Sequence, residues 1–267
     1  MERQHNYLEI NRESWNSRVE AHIKSDFYDV AGFLKGKSSL NEIESGLLGD
    51  LTGKSVLHLQ CHFGQDSISL ARLGARVTGV DLSDKAIEQA IVLASQSGVE
   101  ISFICCDLYD LPNHLDQEFD MVFTSYGTIG WLPDLDQWAK VISQFLKPGG
   151  KLIFVEFHPL LWMFDDQFKR IKYSYFNTGP IVEFETGSYA DRAASLSQET
   201  VSWNHGISEV LNSLLKNGME INSFDEFDYS PYNCFEETIE IEPKKFRIKH
   251  LDNKIPMVYS LVATKKG

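Results

Sequence analysis

The run from Lys54 to Asp84, KSVLHLQCHFGQDSISLARLGARVTGVDLSD, constrains this chain more than any other stretch. Ser55–Leu59 reads as a short buried strand and Gln60–Gly64 as a tight turn. Ile68, Leu70, Ala71 and Leu73 then recur at a spacing that predicts a helix turned towards a sheet and closed at Gly74. Arg76–Val80 is a second strand, and Asp81 ends it. A strand-to-helix turn aims backbone N–H groups and the positive end of the helix dipole at whatever sits above it. An acidic residue closing the next strand, about 20 residues after the turn begins, is placed to hold a ribose diol. The unit predicts a crevice for a nucleoside cofactor.

The dinucleotide fingerprint G-x-G-x-x-G is absent, because Gln60, His62 and Gln65 occupy its places. This counts against NAD or FAD. The stretch resembles the first two motifs of class I methyltransferases dependent on S-adenosylmethionine: a strand, D-x-G-x-G-x-G, then a strand ending in Asp or Glu. Over that pattern His58 replaces the acidic residue, Gln60 and His62 replace the first two glycines, and Gly64 is the third. VTGVDLS fits the second motif. The HLQCHFGQDS run is similar to one bacterial branch of small-molecule methyltransferases. The resemblance implies that Gln60, Cys61, His62 and Gly64 hold the methionine part, with Asp81 and Leu82 at the ribose. Histidine tolerates the left-handed backbone that such turns need better than most residues. A degenerate, empty site is the alternative.

The formal charge is −13, from 25 basic and 38 acidic residues. A nucleic acid or an anionic membrane calls for a basic face, so the balance argues for a small molecule or a basic partner. Four cysteines without framework spacing suit a reducing, cytoplasmic setting. The polar start MERQHNYLEINRESW has no signal-peptide pattern, and no apolar run approaches the roughly 20 residues of a membrane span. His58, His62, Cys61, Cys105 and Cys106 lack metal-ligand spacing, so no metal is expected.

In chain order, Asn11–Ile23 reads as a helix with Trp15, Val19 and Ile23 on one face, followed by a short helix over Leu40–Leu48. The resemblance implies that these N-terminal helices lie over the cofactor mouth, making Trp15, Arg18, His22 and Tyr28 lid residues. Simple packing is the alternative for the aromatics, as ordinary solvation is for Arg18. Ser83 caps a helix to Gln96 that buries Ala86, Ile87, Ala90, Ile91 and Ala94. Ile101–Cys105 is the third strand. By resemblance to the third motif, Asp107 accepts from the adenine amino group and the Leu108 N–H meets the ring; a turn cap is the alternative for Asp107.

Phe119–Thr124 is the fourth strand, and Ser125 and Tyr126 turn out of it where the family places the transferring methyl group. SYGT does not match the [DN]-P-P-[YFW] motif of enzymes that methylate base amines. Trp131 reads as half core, half pocket wall. A helix over Asp134–Leu146 stops at Lys147–Gly150, and Lys151–Phe157 is strand five. His158 follows it at the crevice end, as a candidate general base or a structural histidine. The aromatic-rich stretch 159–202, with a strand at Ile181–Thr186, reads as a substrate-side insertion or a dimer interface. Trp203 and His205 precede a helix at Ile207–Leu215, where they face substrate, and Met219–Phe227 and Met257–Thr264 are strands six and seven.

The expectation is one doubly wound α/β domain, Rossmann-like, whose seven strands take the order 3-2-1-4-5-7-6 by resemblance. It divides into a helical cap (1–50), a cofactor core (51–158), the insertion (159–202) and a C-terminal helix with two strands (203–267). The expected reaction is methyl transfer from S-adenosylmethionine to a small molecule, by a monomer or homodimer. A cofactor-binding protein without transferase activity and an NAD(P) oxidoreductase are the rivals.

Overall fold

Every residue of the first strand, β1 (Ser55–Leu59), is buried, as expected of a strand covered on both faces. The computed structural model describes residues 6–267, so the first five residues of the expected cap lie outside the described part. Ahead of β1 come helices α1 (Tyr7–Lys24), α2 (Val30–Leu34) and α3 (Glu42–Leu48). After it the chain alternates through α4 (Gln65–Arg72), β2 (Arg76–Asp81), α5 (Asp84–Gln96), β3 (Ser102–Cys105), β4 (Phe119–Ser125), α6 (Leu135–Phe145) and β5 (Leu146–Phe157). A hairpin, β6 (Ile181–Thr186) and β7 (Ser197–Ser202), interrupts the alternation. Helix α7 (Ile207–Lys216), β8 (Met219–Phe227), a small hairpin of β9 (Thr238–Glu242) and β10 (Lys245–Ile248), and β11 (Val258–Lys265) complete the chain.

The main sheet runs β3-β2-β1-β4-β5-β11-β8. Counting only its own strands, this is the expected order 3-2-1-4-5-7-6. β1 lies between β2 and β4, parallel to both, while β11 is antiparallel to β5 and β8. The order reverses at β1, and the crevice above the carboxyl ends of β1, β2 and β4 is where such sheets bind ligands. Alternate residues of β1 feed two cores. Leu57 and Leu59 join Trp138 of α6 and Val210 of α7, whereas Val56 packs with Leu70 of α4 and Leu48 at the end of α3.

Three expectations about helix faces are corrected. Leu73 is 53% exposed because α4 ends one residue earlier and Leu73 is its C-cap. Ile91 is also 53% exposed, on the solvent flank of the stripe made by Ala86, Ile87, Ala90, Leu93 and Ala94. The buried face of α1 is mainly polar, Asn11, Ser14, Arg18 and His22 with Val19, rather than Trp15, Val19 and Ile23. The reason is its partner: α1 packs on the edge of β7 rather than on the apolar sheet. Asn11 donates Nδ2–H to the Val201 carbonyl (2.8 Å) and its Oδ1 accepts from the Val201 N–H (2.9 Å), so one amide satisfies an edge strand's free groups. Lys147–Gly150 falls within β5, as a bulge where the register jumps from Phe119–Leu146 to Met121–Lys151.

Candidate active site

The turn after β1 adopts the strained geometry that its glycine-poor sequence makes expensive. Gln60, His62 and Gly64 all have positive φ, at 54°, 50° and 79°. Two non-glycine residues in the left-handed region of one short turn mark a backbone over-determined by its surroundings, a pattern concentrated at ligand sites. The surroundings are visible. The Asp81 carboxylate at the end of β2 accepts from the His62 N–H (2.7 Å) and the Ser83 N–H (2.9 Å). Gln60 donates Nε2–H to the Thr128 carbonyl (2.8 Å) in the loop after β4. At Gly64 a Cβ would stand 3.0 Å from Ala90 and from Phe103, so glycine is required there for space as well as for φ.

This turn forms one wall of a cavity of about 1210 Å³. Ligand pockets commonly measure about 300–1,000 Å³, so there is room for a cofactor and a second molecule. Of the site residues expected from the sequence, Trp15, Arg18, Tyr28, Gln60, Cys61, His62, Gly64, Asp81, Leu82, Asp107, Leu108, Ser125, Tyr126, Trp131, Trp203 and His205 all line it. His158 does not.

Helix α1 and the stretch after it are fastened by side chains from distant parts of the chain. His22 Nδ1 lies 2.9 Å from His62 Nε2, and His22 Nε2 lies 3.1 Å from Ser188 Oγ in the turn of the β6–β7 insertion. Burial lowers the pKa of both rings, His22 to about 3, so both are neutral at pH 7. Arg18 is buried and pairs with Glu185 of β6 at 2.7 Å, its guanidinium 5.0 Å from the Trp15 ring and 5.9 Å from that of Trp131. Its carboxylate partner is therefore in the chain itself rather than in a ligand. Tyr28 bonds hydroxyl to hydroxyl with Tyr189, also of the insertion.

The nucleoside side carries two acids. Burial raises the pKa of Asp81 to about 6 against the pull of its backbone N–H donors. Asp107 accepts from the Tyr109 N–H (3.3 Å) and caps a 3-10 turn over Leu108–Asn113 while facing the cavity. Asp107 thus both caps this turn and lines the cavity.

A strand order with a terminal antiparallel pair, a left-handed turn after β1 and an acid ending β2 meet in one cavity. Residues 56–150 match the family model described as a methyltransferase domain. The fold is that of solved S-adenosylmethionine-dependent methyltransferases. A ubiquinone biosynthesis O-methyltransferase from Idiomarina loihiensis is 32% identical over 136 residues, covering 49% of this chain and 56% of the relative. The chain thus spans little more than half of that relative's length. An S-adenosylmethionine-dependent methyltransferase from Mesorhizobium loti superposes with a TM-score of 0.58 at 22% identity, over 87% of this chain and 100% of the other. The geranyl diphosphate C-methyltransferase of Streptomyces coelicolor gives 0.61 at 16% identity, over 97% and 98%.

Within this methyltransferase fold, His158 needs correction. Its Nε2 is 2.9 Å from Glu226 of β8, its Nδ1 accepts from the Leu160 N–H, and its ring meets Tyr259 edge-on. Both nitrogens are engaged away from the cavity, because the chain turns at Pro159 and β11 and β8 cover that end of β5. The structural reading of His158 fits this placement. His205 lines the cavity, but its Nε2 donates to the Leu132 carbonyl (2.8 Å) and its Nδ1 sits 3.0 Å from Glu209 in the helix that follows it. Trp131 donates Nε1–H to the Gly127 carbonyl (2.8 Å), and Trp203 meets Tyr7 edge-to-face.

Two buried acids escaped the sequence reading. Glu156 accepts from the N–H groups of Gly127, Thr128, Ile129 and Phe157 and from the Thr128 hydroxyl. It ties the loop after β4 to β5. A carboxylate inside the apolar run LIFVEF was its signal, since charge in a central strand needs a partner. Glu44 completes the capping box with Asn41 and accepts from the Tyr126 hydroxyl (2.7 Å). N-x-x-E before an apolar run announces the cap but not this second bond.

Proposed function

We propose that this protein transfers a methyl group from S-adenosylmethionine to a small-molecule acceptor. The observation that carries the reading is the turn after β1. Its backbone keeps left-handed geometry at Gln60 and His62 without glycine, and Gln60 Oε1 and His62 Nδ1 are buried with no hydrogen-bond partner. Orphaned buried polar atoms at a strained turn are costly unless a ligand completes them. The residues therefore fit the cofactor: the turn for its methionine part, Asp81 for the ribose hydroxyls, Asp107 for the adenine amine. When bound, S-adenosylmethionine supplies an electrophilic methyl group on a sulfonium.

The chain's own part is positioning and exclusion of water. Glu156 holds the loop from Gly127 to Ile129, and Tyr126, at φ 48°, projects from its start. Burial, the Glu44 charge and the bond to Glu44 push the Tyr126 phenol well above its ordinary pKa, so it stays neutral and orients rather than removes protons. With no free histidine base at the end of β5, the acceptor is one whose reacting atom is already nucleophilic, for which orientation supplies much of the rate. The insertion contributes Tyr189, and the loop after β8 contributes Tyr232 and Phe235, to an aromatic wall. A cavity with an aromatic wall on a chain of charge −13 supports a small molecule over a nucleic acid. Among the described residues no helix is long and apolar enough to cross a membrane. Four free thiols support a reducing, cytoplasmic setting, and the protein acts as a monomer or a homodimer.

Calorimetric titration with S-adenosylmethionine and S-adenosylhomocysteine, with NAD as control, tests the cofactor. Micromolar binding, about −8 kcal/mol, is expected for the first two and none for NAD. Binding of NAD alone would overturn the reading. Formation of S-adenosylhomocysteine across an acceptor panel then tests transfer; tight binding with no turnover favours a cofactor-binding protein.

A further inference from the structure

The first motif lacks its acidic residue: His58 stands there, buried, with Nδ1 2.7 Å from Ser67 Oγ. The chain does place a carboxylate nearby. Asp66, in the first turn of α4 and next to Ser67, faces the cavity. Its carboxylate accepts a long bond from Ser125 Oγ (3.3 Å), the last residue of β4, and the Ser39 hydroxyl is a second donor to it. No lysine, arginine or histidine among the described residues stands within ion-pair distance of it, and no backbone N–H caps onto it. Lys244 attracts it only from farther away. Glu44, the neighbouring acid, is already engaged by Tyr126 and the Asn41 N–H. A carboxylate in such a wall that has only hydroxyl donors gains as an anion from a cation beside it, and burial raises its pKa in the free protein.

The position along the sheet decides which cation. Asp81 and Asp107 sit above β2 and β3, on one side of β1, whereas Asp66 sits on the other side, against the end of β4. A cofactor whose nucleoside lies at the first pair extends its amino-acid tail across the β1 turn towards Asp66. Gln60 reaches the same β4 side through Thr128, and its Oε1 is a second acceptor without a donor. We infer that Asp66 holds the α-ammonium group of the cofactor's methionine end, replacing from the helix the charge that position 58 lacks. This rests on the cofactor reading above. A carboxylate two residues into α4 reaches the cavity from the helix, and His58 stays a neutral core residue.

Two ligands separate the ammonium from the nucleoside: S-adenosylhomocysteine, and 5′-methylthioadenosine, which keeps the nucleoside thioether and lacks the amino-acid part. In the full-length protein, Asp66→Asn should weaken S-adenosylhomocysteine roughly 10- to 100-fold, as loss of a charge-assisted bond does, and leave 5′-methylthioadenosine within about twofold. Retained binding of the second ligand also reports an intact site. Equal losses for both ligands, or no loss for the first, would overturn the assignment. Asp66→Ser provides the same comparison in a smaller side chain, and loss of both ligands in both variants would make Asp66 a structural carboxylate. Wild-type protein that binds neither ligand would instead sink the cofactor reading itself.

Discussion

His22 and His62 stand 2.9 Å apart, ring nitrogen to ring nitrogen, and join helix α1 to the turn after β1. With both rings neutral, a single proton serves the bond, and the pair closes the cavity without placing a charge in it. His22→Ala should therefore weaken S-adenosylhomocysteine several-fold and cost about 1 kcal/mol of stability. A double-mutant cycle with His62→Ala should return a coupling of about 1 kcal/mol. Additive effects of the two substitutions would show that the contact does not seat helix α1.

Asp81 makes cofactor affinity depend on pH. Burial puts its pKa at about 6, and only the ionised carboxylate can accept from both ribose hydroxyls. Affinity should rise between pH 5 and 7 and then level, whereas Asp81→Asn should bind roughly 10- to 100-fold more weakly with a flat profile. The stability of the free protein runs the other way. A carboxyl group whose folded pKa exceeds its unfolded value of about 3.9 contributes stability below that value and loses it as pH rises through about 6. Calorimetry and melting across the same buffers check both signs, and a parallel rise would contradict the assignment.

Glu156 fixes the loop that carries Tyr126. Glu156→Ala strands three backbone N–H groups of that loop, at about 1–3 kcal/mol each when buried. A loss of at least about 3 kcal/mol is expected, or roughly 6–12 °C in Tm. A shift below about 2 °C would mean that water replaces the carboxylate.

His158 gives the opposite contrast. Because it bonds Glu226 and lies outside the cavity, His158→Asn should leave kcat within about twofold while lowering stability by about 1–3 kcal/mol. A large fall in kcat in a stable variant would restore the general-base reading.

The βαβ unit was legible because its information is local. The run Ser55–Leu59, Gly64, the stripe of Ile68 and Leu70, and Asp81 each declare a strand, a turn, a helix face or a strand end from their immediate neighbours. Hence nearly all the expected site residues meet at one cavity: parallel strands deliver their carboxyl ends to one edge, so a residue's place on its strand already says where it goes. His158 failed because an antiparallel pair, β11 and β8, covers that strand end, and nothing in the residues around it announces the cover. β7 was unreadable for a similar reason. SQETVS has no apolar alternation, and it is a strand because β6 and Asn11 satisfy its two edges.

What the sequence determined by itself is the doubly wound core, the site of the crevice, and the absence of a dinucleotide turn, since these follow from periodicity and from which residues stand at strand ends. Tertiary structure alone decided how the site is closed and charged: that α1 buries a polar face, that Arg18 finds Glu185 and His22 finds His62, that Glu156 holds the loop after β4, and that Asp66 is left without a cation. Such pairings join residues tens to hundreds of positions apart. Whether a buried charge is satisfied depends on the atoms packed around it, and local pattern carries no record of those.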